Sequence, residues 1–247
     1  MGLIKTTQQQ ADLRIAGSYL QHVFDVIETA IKPGITTEEI DALADATMRE
    51  QGAKPSFLHY YGFPKSTCIS INDQVIHGIP APDAALKEGD IITVDAGLWY
   101  KNVCVDAARS YVVGTVSDEA HRLLSATKQA LAKGVAQAKP GNHIGAISAA
   151  IEKVAVTEKL GIVRNYTGHG VGLAVHEEPS IPNYGKPQDG IVIEPGMVLA
   201  IEPMFTLGGG EVITLSDGWT VITNDGSLAA QFEHTVLITD KGNEVLV

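Results

Sequence analysis

The chain has 247 residues, 45% hydrophobic and 19% charged, which is enough to bury a large core and too apolar for a disordered or fibrous chain. Its 18 Lys and Arg stand against 29 Asp and Glu, and the formal charge of -11 argues against nucleic acid as a partner and against attraction to anionic membranes. Two cysteines, Cys68 and Cys104, are too few for a disulfide scaffold, and no apolar run reaches the roughly 18 residues of a membrane span, so a cytoplasmic protein with reduced thiols is expected.

In chain order, apolar residues at helical spacing (Leu13, Ala16, Leu20, Val23, Phe24, Ile27) predict a helix over 11–31. A second is predicted over 37–50, where Thr36 or Thr37 can cap ahead of Glu38 and Glu39. Strands are expected at 67–72 and 103–113, the latter entered through a hairpin-like turn at Trp99-Tyr100-Lys101-Asn102. Helical spacing returns over 117–138, with Ser117 as cap, and over 144–160; strands at 212–222 and 231–239 complete the chain.

Two marks recur at one interval. Lys32-Pro33-Gly34 returns as Lys139-Pro140-Gly141, and 140 minus 33 is 107. A glycine, an apolar strand and a carboxylate run from Gly89 to Asp95 and again from Gly196 to Glu202, and 202 minus 95 is also 107. The repeat predicts one domain over 1–247 made of two like halves, about 3–113 and 117–247, related by a pseudo-twofold. Two pairs of helices covering a curved antiparallel sheet make the expected fold α+β.

Asp95 follows Ile91-Ile92-Thr93-Val94, and Glu202 follows Met197-Val198-Leu199-Ala200-Ile201. Asp106 and Glu233 likewise sit inside apolar segments. An uncompensated charge in a buried strand is expensive, and of the arginines only Arg109 lies close in sequence, so ion pairing accounts for one acid and not for four. Metal ions account for all of them. His169, in Gly168-His169-Gly170-Val171-Gly172, adds an imidazole on a backbone that can approach a ligand closely, and His176-Glu177-Glu178-Pro179 follows seven residues on. Four carboxylates and one imidazole form a hard, oxygen-rich set suited to two bridged ions. Such a pair, about 3.5–4 Å apart, can hold a bridging water as hydroxide and stabilise an oxyanion, which is the chemistry of hydrolysis.

With these residues in place, the sequence resembles the type I methionine aminopeptidases, the short form of the pita-bread metallopeptidases of the M24 type, over nearly all its length. The resemblance implies that Asp95, Asp106, His169, Glu202 and Glu233 hold two divalent ions (Co, Mn, Fe or Zn), with Asp106 and Glu233 bridging. It implies that His77 orients the peptide, that His176 contacts the scissile carbonyl, and that Glu202 relays a proton to the leaving amine. It further implies an apolar pocket for the methionine side chain at Phe57, Tyr60, Phe63, Cys68, His77, Val175 and Trp219, with His176 beside it; a flexible, polarizable thioether suits aromatic walls. The substrate would be the N-terminal peptide of newly made proteins whose second residue is small, and the enzyme a monomer that meets its substrate at or near the ribosome. This sequence departs from the family at Val175, where phenylalanine is common, at Phe57, where a small residue or cysteine is common, and at Asp106-Ala107-Ala108, where Asp-Thr-Ser is common. An X-prolyl peptidase shares the ligand set but usually carries an N-terminal domain, and a binding module of this fold would have lost ligands that are all present here.

Overall fold

The computed structural model describes residues 3–247. Among the described residues there are four α-helices, and three of them form where a side-chain cap and an apolar stripe coincide. Thr6 and Thr36 each accept a hydrogen bond from the backbone three residues on, while Gln9 and Glu39 reach back to the cap, fixing the starts of α1 (Thr7–Ala30) and α2 (Thr37–Glu50). Helix α1 therefore begins four residues before its apolar periodicity does. Ser117 caps α3 (Asp118–Val135), and α4 (Ile144–Glu158) stops at Lys159, whose φ of 54° turns the chain out of the helix. Both end a little short of the predicted limits at 138 and 160.

All strand pairings are antiparallel, and hydrogen bonding divides the β layer into four sheets. In the first, Ile91–Tyr100 pairs along one edge with Val103–Val112 and along the other with Thr67–Ile71 and then Lys54–Pro55. The second runs Gly242–Val245, His234–Thr239, Val198–Ile201, Gly168–Gly170, Glu177–Ile181. Two three-stranded sheets are built from Gly161–Ile162, Met204–Thr206 and Ala229–Gln231, and from Gln74–Ile76, Val212–Thr214 and Val221–Thr223. Three strand predictions are refined. The segment 212–222 is a hairpin that turns at Gly218 (φ 79°), the segment 231–239 is interrupted at Phe232-Glu233, and Asp95 lies inside its strand and not at its end. The predicted hairpin is present, with Tyr100 opposite Val103 and Lys101 at φ 51°.

Helices α1 and α2 pack on the first sheet through Leu20, Phe24, Ile40, Val94 and Val105. Helices α3 and α4 pack on the second through Leu123, Ile147, Leu199 and Val236. The interval of 107 residues recurs in hydrogen bonds. Gly34 N–H donates to Leu86 O (2.8 Å) and Gly141 N–H to Ile193 O (3.0 Å); isolated bridges join Thr36 to Ala85 and His143 to Val192; and Gly89 and Gly196 share a positive φ, 93° and 87°. Gly34 and Gly141 also have positive φ, which suits glycine.

The seam between these repeats is where the site forms. Among the described residues, strand Val103–Val112 has a ladder partner on one edge only, and Gln231, Glu233 and Thr235 meet the other edge. Asp106 N–H donates to Thr235 Oγ1 (2.9 Å), the same hydroxyl donates to Asp106 O (2.6 Å), and Glu233 N–H donates to Ala108 O (2.8 Å). Ser110 Oγ donates to Gln231 O at 2.7 Å and accepts from Gln231 N–H at 3.2 Å.

Candidate metal centre and its cavity

Strand alternation and register deliver the ligands. Asp95 pairs with Ala108 and Asp106 with Gly97, so the two aspartates are diagonal neighbours on one face of the hairpin. A side chain at Gly97 would collide with Ser56 and crowd the Asp106 carboxylate. In the other half, His169 pairs with Ala200 two residues before Glu202, and His234 pairs with Ile201, so Glu233 lies across from Glu202. His169 Nδ1–H donates to Gly170 O (2.8 Å), which leaves Nε2 as a lone-pair donor, 3.5 Å from Glu202 Oε1.

Ligand atoms of Asp106, His169 and Glu233 all lie within 4.8 Å of one another. Among the described residues, Asp95 Oδ1, Asp106 Oδ1 and Glu233 Oε1 are buried with no hydrogen-bond partner. Burial pushes the Asp95 carboxyl up to about 7, opposed by its hydrogen bond with Asp106. Burial also pushes Asp106, Glu202 and Glu233 well above the usual carboxylate range, and the negative charge of neighbouring acids adds to it in each case. The His169 imidazole is held down at about 3 by burial and by the proximity of His176, so it stays neutral, as a ligand must be. Orphaned carboxylate oxygens converging on a free imidazole nitrogen fit divalent cations, which would supply the missing partners and positive charge together.

The five residues line a cavity of about 370 Å³. Phe57, Tyr60, Phe63, Cys68, His77, His176 and Trp219 also line it. Val175 does not: it is 1% exposed and packs behind the wall with Phe57, Phe63, Cys68 and Cys104. The Phe63 and Trp219 rings meet edge to face at 5.1 Å. His77, held at φ 58°, lies edge-on to Tyr166 at 5.7 Å and Trp219 at 6.4 Å, and burial lowers its pKa to about 4. The Tyr60 hydroxyl sits 3.1 Å from His176 Nδ1, and the His176 ring lies 4.3 Å from that of His169. Burial lowers the pKa of His176 as well.

The sequence reading overlooked several cavity residues. Gln231 lines the cavity and donates from Nε2 to Glu202 Oε2 (3.0 Å), holding that carboxylate in place. Gln231, Glu233 and Thr235 alternate along the chain, and that period of two was a usable signal. Tyr61, Ile76, Asn165, Tyr166 and Thr167 also line the cavity, from turns, loops and a short strand whose local sequence carries no pattern pointing there.

Fold and site together define a metal-dependent hydrolase whose carboxylate-rich centre opens onto an apolar pocket. Residues 11–240 match metallopeptidase family M24. The chain is similar to the methionine aminopeptidase of Clostridium acetobutylicum, 46% identical over 246 residues that span 100% of this chain and 98% of that protein. It is similar to methionine aminopeptidase 1 of Bacillus subtilis, 44% identical over 100% of this chain and 99% of that one. Among solved structures it is similar to the methionine aminopeptidase of Thermotoga maritima, with a TM-score of 0.97, 39% identity and 98% of each chain covered. The chain belongs to metallopeptidase family M24 and, within it, to the methionine aminopeptidases. Among the described residues, no helix is long and apolar enough to cross a membrane.

Proposed function

We propose that this chain removes the N-terminal methionine from newly made proteins when the second residue is small. The observation that carries this reading is the cavity itself, which Asp95, Asp106, His169, Glu202 and Glu233 line together with Phe57, Phe63, Cys68 and Trp219. A thioether side chain seated among those apolar groups would bring the first peptide bond to the carboxylates. Two divalent ions held by the five ligands, with Co, Mn, Fe and Zn as candidates, would supply an activated water and a Lewis acid for the carbonyl oxygen.

The chain's own groups divide the remaining work. With the Tyr60 hydroxyl at its Nδ1, a neutral His176 can donate from Nε2 to the scissile carbonyl oxygen as charge grows there. His77, neutral at physiological pH, orients the peptide within the cavity. Glu202, held by Gln231 Nε2, takes the proton lost by the attacking water and delivers it to the departing nitrogen. Val175 acts one layer back, by supporting the pocket wall.

The whole chain is read as one catalytic unit of two halves, 3–113 and 117–247, working as a monomer in the cytoplasm on N-termini emerging near the ribosome. The test uses protein stripped of metal and resupplied with Co or Mn, incubated with Met-Gly-Met-Met and Ala-Pro-Gly peptides and read by mass spectrometry beside Asp106→Ala. Loss of a single methionine, dependent on metal and absent in the variant, is expected. Cleavage of the Ala-Pro peptide alone would keep the hydrolase and refute the substrate assignment.

A further inference from the structure

Two of the three cavity histidines, His169 and His176, are joined by a short link that the ligand set itself does not hold. His169 lies in strand Gly168–Gly170, His176 directly precedes strand Glu177–Ile181, and residues 171–176 run between them without regular secondary structure. Gly170 and Glu177 are a registered pair, so the link is a closed loop on a short hairpin. One side chain fastens it. Glu177 accepts hydrogen bonds from Leu173 N–H and, at 2.9 Å, from Ala174 N–H.

That carboxylate is buried, with its side chain 6% exposed, and its charge is met from far away in sequence. Lys5 Nζ, on a side chain 1% exposed, donates to Glu177 Oε2 at 2.7 Å. The lysine is fixed in turn: its N–H donates to Gly196 O (2.8 Å), its carbonyl accepts from Gln10 Nε2 (2.8 Å), and Thr6 next to it caps α1. A side chain at Gly172 would strike the Lys5 stem, so the link is fitted to that lysine. Cys104 N–H donates to Gly172 O (2.8 Å), tying the link to the strand that carries Asp106.

We propose that Lys5 and Glu177 form a positioning pair for His176: the segment ahead of α1 locks the Glu177 carboxylate, and that carboxylate sets the shape of the 171–176 link and with it the His176 ring. The physical basis is that a buried ion pair whose carboxylate also takes two backbone N–H groups restricts the loop to few geometries, whereas a backbone loop of six residues without it has many. Misplacement of a reacting group by about 1 Å can reduce turnover by about 100-fold while leaving ground-state binding little changed. The inference rests on the reading of His176 as a catalytic residue.

The test is Lys5→Met, made in the full chain and in a His176→Ala background, with kcat and KM on a Met-Gly peptide and Mn affinity by calorimetry. Lys5→Met is expected to lower kcat about tenfold or more with KM within about twofold, to change Mn affinity by less than about threefold, and to add no further loss once His176 is Ala. If Lys5→Met does not fold because it strands a buried carboxylate, Lys5→Met/Glu177→Gln removes both charges, keeps an acceptor for the two N–H groups, and is expected to give the same kcat loss. A Lys5→Met loss that persists in full beside His176→Ala overturns the inference and spares the reading of His176. Mn affinity that falls in step with kcat also overturns it, since the pair would then serve the ligands. An unimpaired His176→Ala overturns both readings.

Discussion

Thr235→Val removes one oxygen from the seam that brings the two sets of ligands together. The substitution keeps the side chain's shape in a site that is 0% exposed, so neither a cavity nor a clash complicates the result. It takes away the acceptor of Asp106 N–H (2.9 Å) and the donor to Asp106 O (2.6 Å). No ladder partner replaces it, because Asp106 faces Gly97 across the hairpin while its own N–H and carbonyl point to the opposite edge. Each buried polar group left unpaired costs about 1–3 kcal/mol, so the two together cost about 4 kcal/mol. For a chain of this size that corresponds to a fall in Tm of about 8–16 °C. Release of the Asp106 backbone also loosens its carboxylate, and Mn affinity should fall about tenfold or more. Urea unfolding of the metal-free protein, followed by tryptophan fluorescence, measures the first effect, and calorimetric titration of Mn the second. Thr235→Ser, which keeps the hydroxyl, should lose only about 1 kcal/mol. A loss below about 1 kcal/mol in Thr235→Val, equal to that of the serine variant, would refute the claim that this hydroxyl stitches the seam.

Two further outcomes follow from the cavity. Trp219→Ala removes the ring that meets Phe63 at 5.1 Å and should weaken binding of a methionine side chain by about 1–3 kcal/mol, seen as a rise in KM of about 10-fold or more on Met-Gly peptides, while Mn affinity is unchanged. His77, with its pKa lowered from 6.5 to about 4 by burial, should titrate near 4 in NMR of the folded protein. The sign follows from which state takes up the proton. Between pH 6.5 and 4 the unfolded chain protonates this residue and the folded one does not, so its contribution, of order 3 kcal/mol, is complete above pH 6.5 and lost as pH falls toward 4. His77→Gln should flatten that part of the acid limb in urea unfolding; an unchanged limb in the variant would contradict the burial argument.

The elements that sequence placed well are those specified by their own residues. Helix α2 was legible to the residue because Thr36 and Glu39 form a reciprocal cap and Ile40, Ala44 and Met48 make an apolar stripe. The five candidate ligands were legible because carboxylates in apolar strands are anomalous in any fold, and the interval of 107 residues was legible because the same turn chemistry is written twice. Less was legible where a strand owes its limits to a partner. The break at Phe232-Glu233 leaves Glu233 N–H to bond Ala108 O, more than a hundred residues away, and nothing local announces it.

Sequence by itself therefore determined the helices and singled out the candidate ligands and the interval of 107 residues, since caps, periodicity and the cost of buried charge are properties of short segments. Tertiary structure alone decided how these meet. It turned Val175 away from the cavity into the layer behind, brought Asn165, Tyr166 and Thr167 to the wall, set Gln231 against Glu202, and paired Lys5 with Glu177 across 172 residues. These contacts depend on which edges of two sheets face each other, and that is fixed by the packing of both halves at once and not by any segment within either.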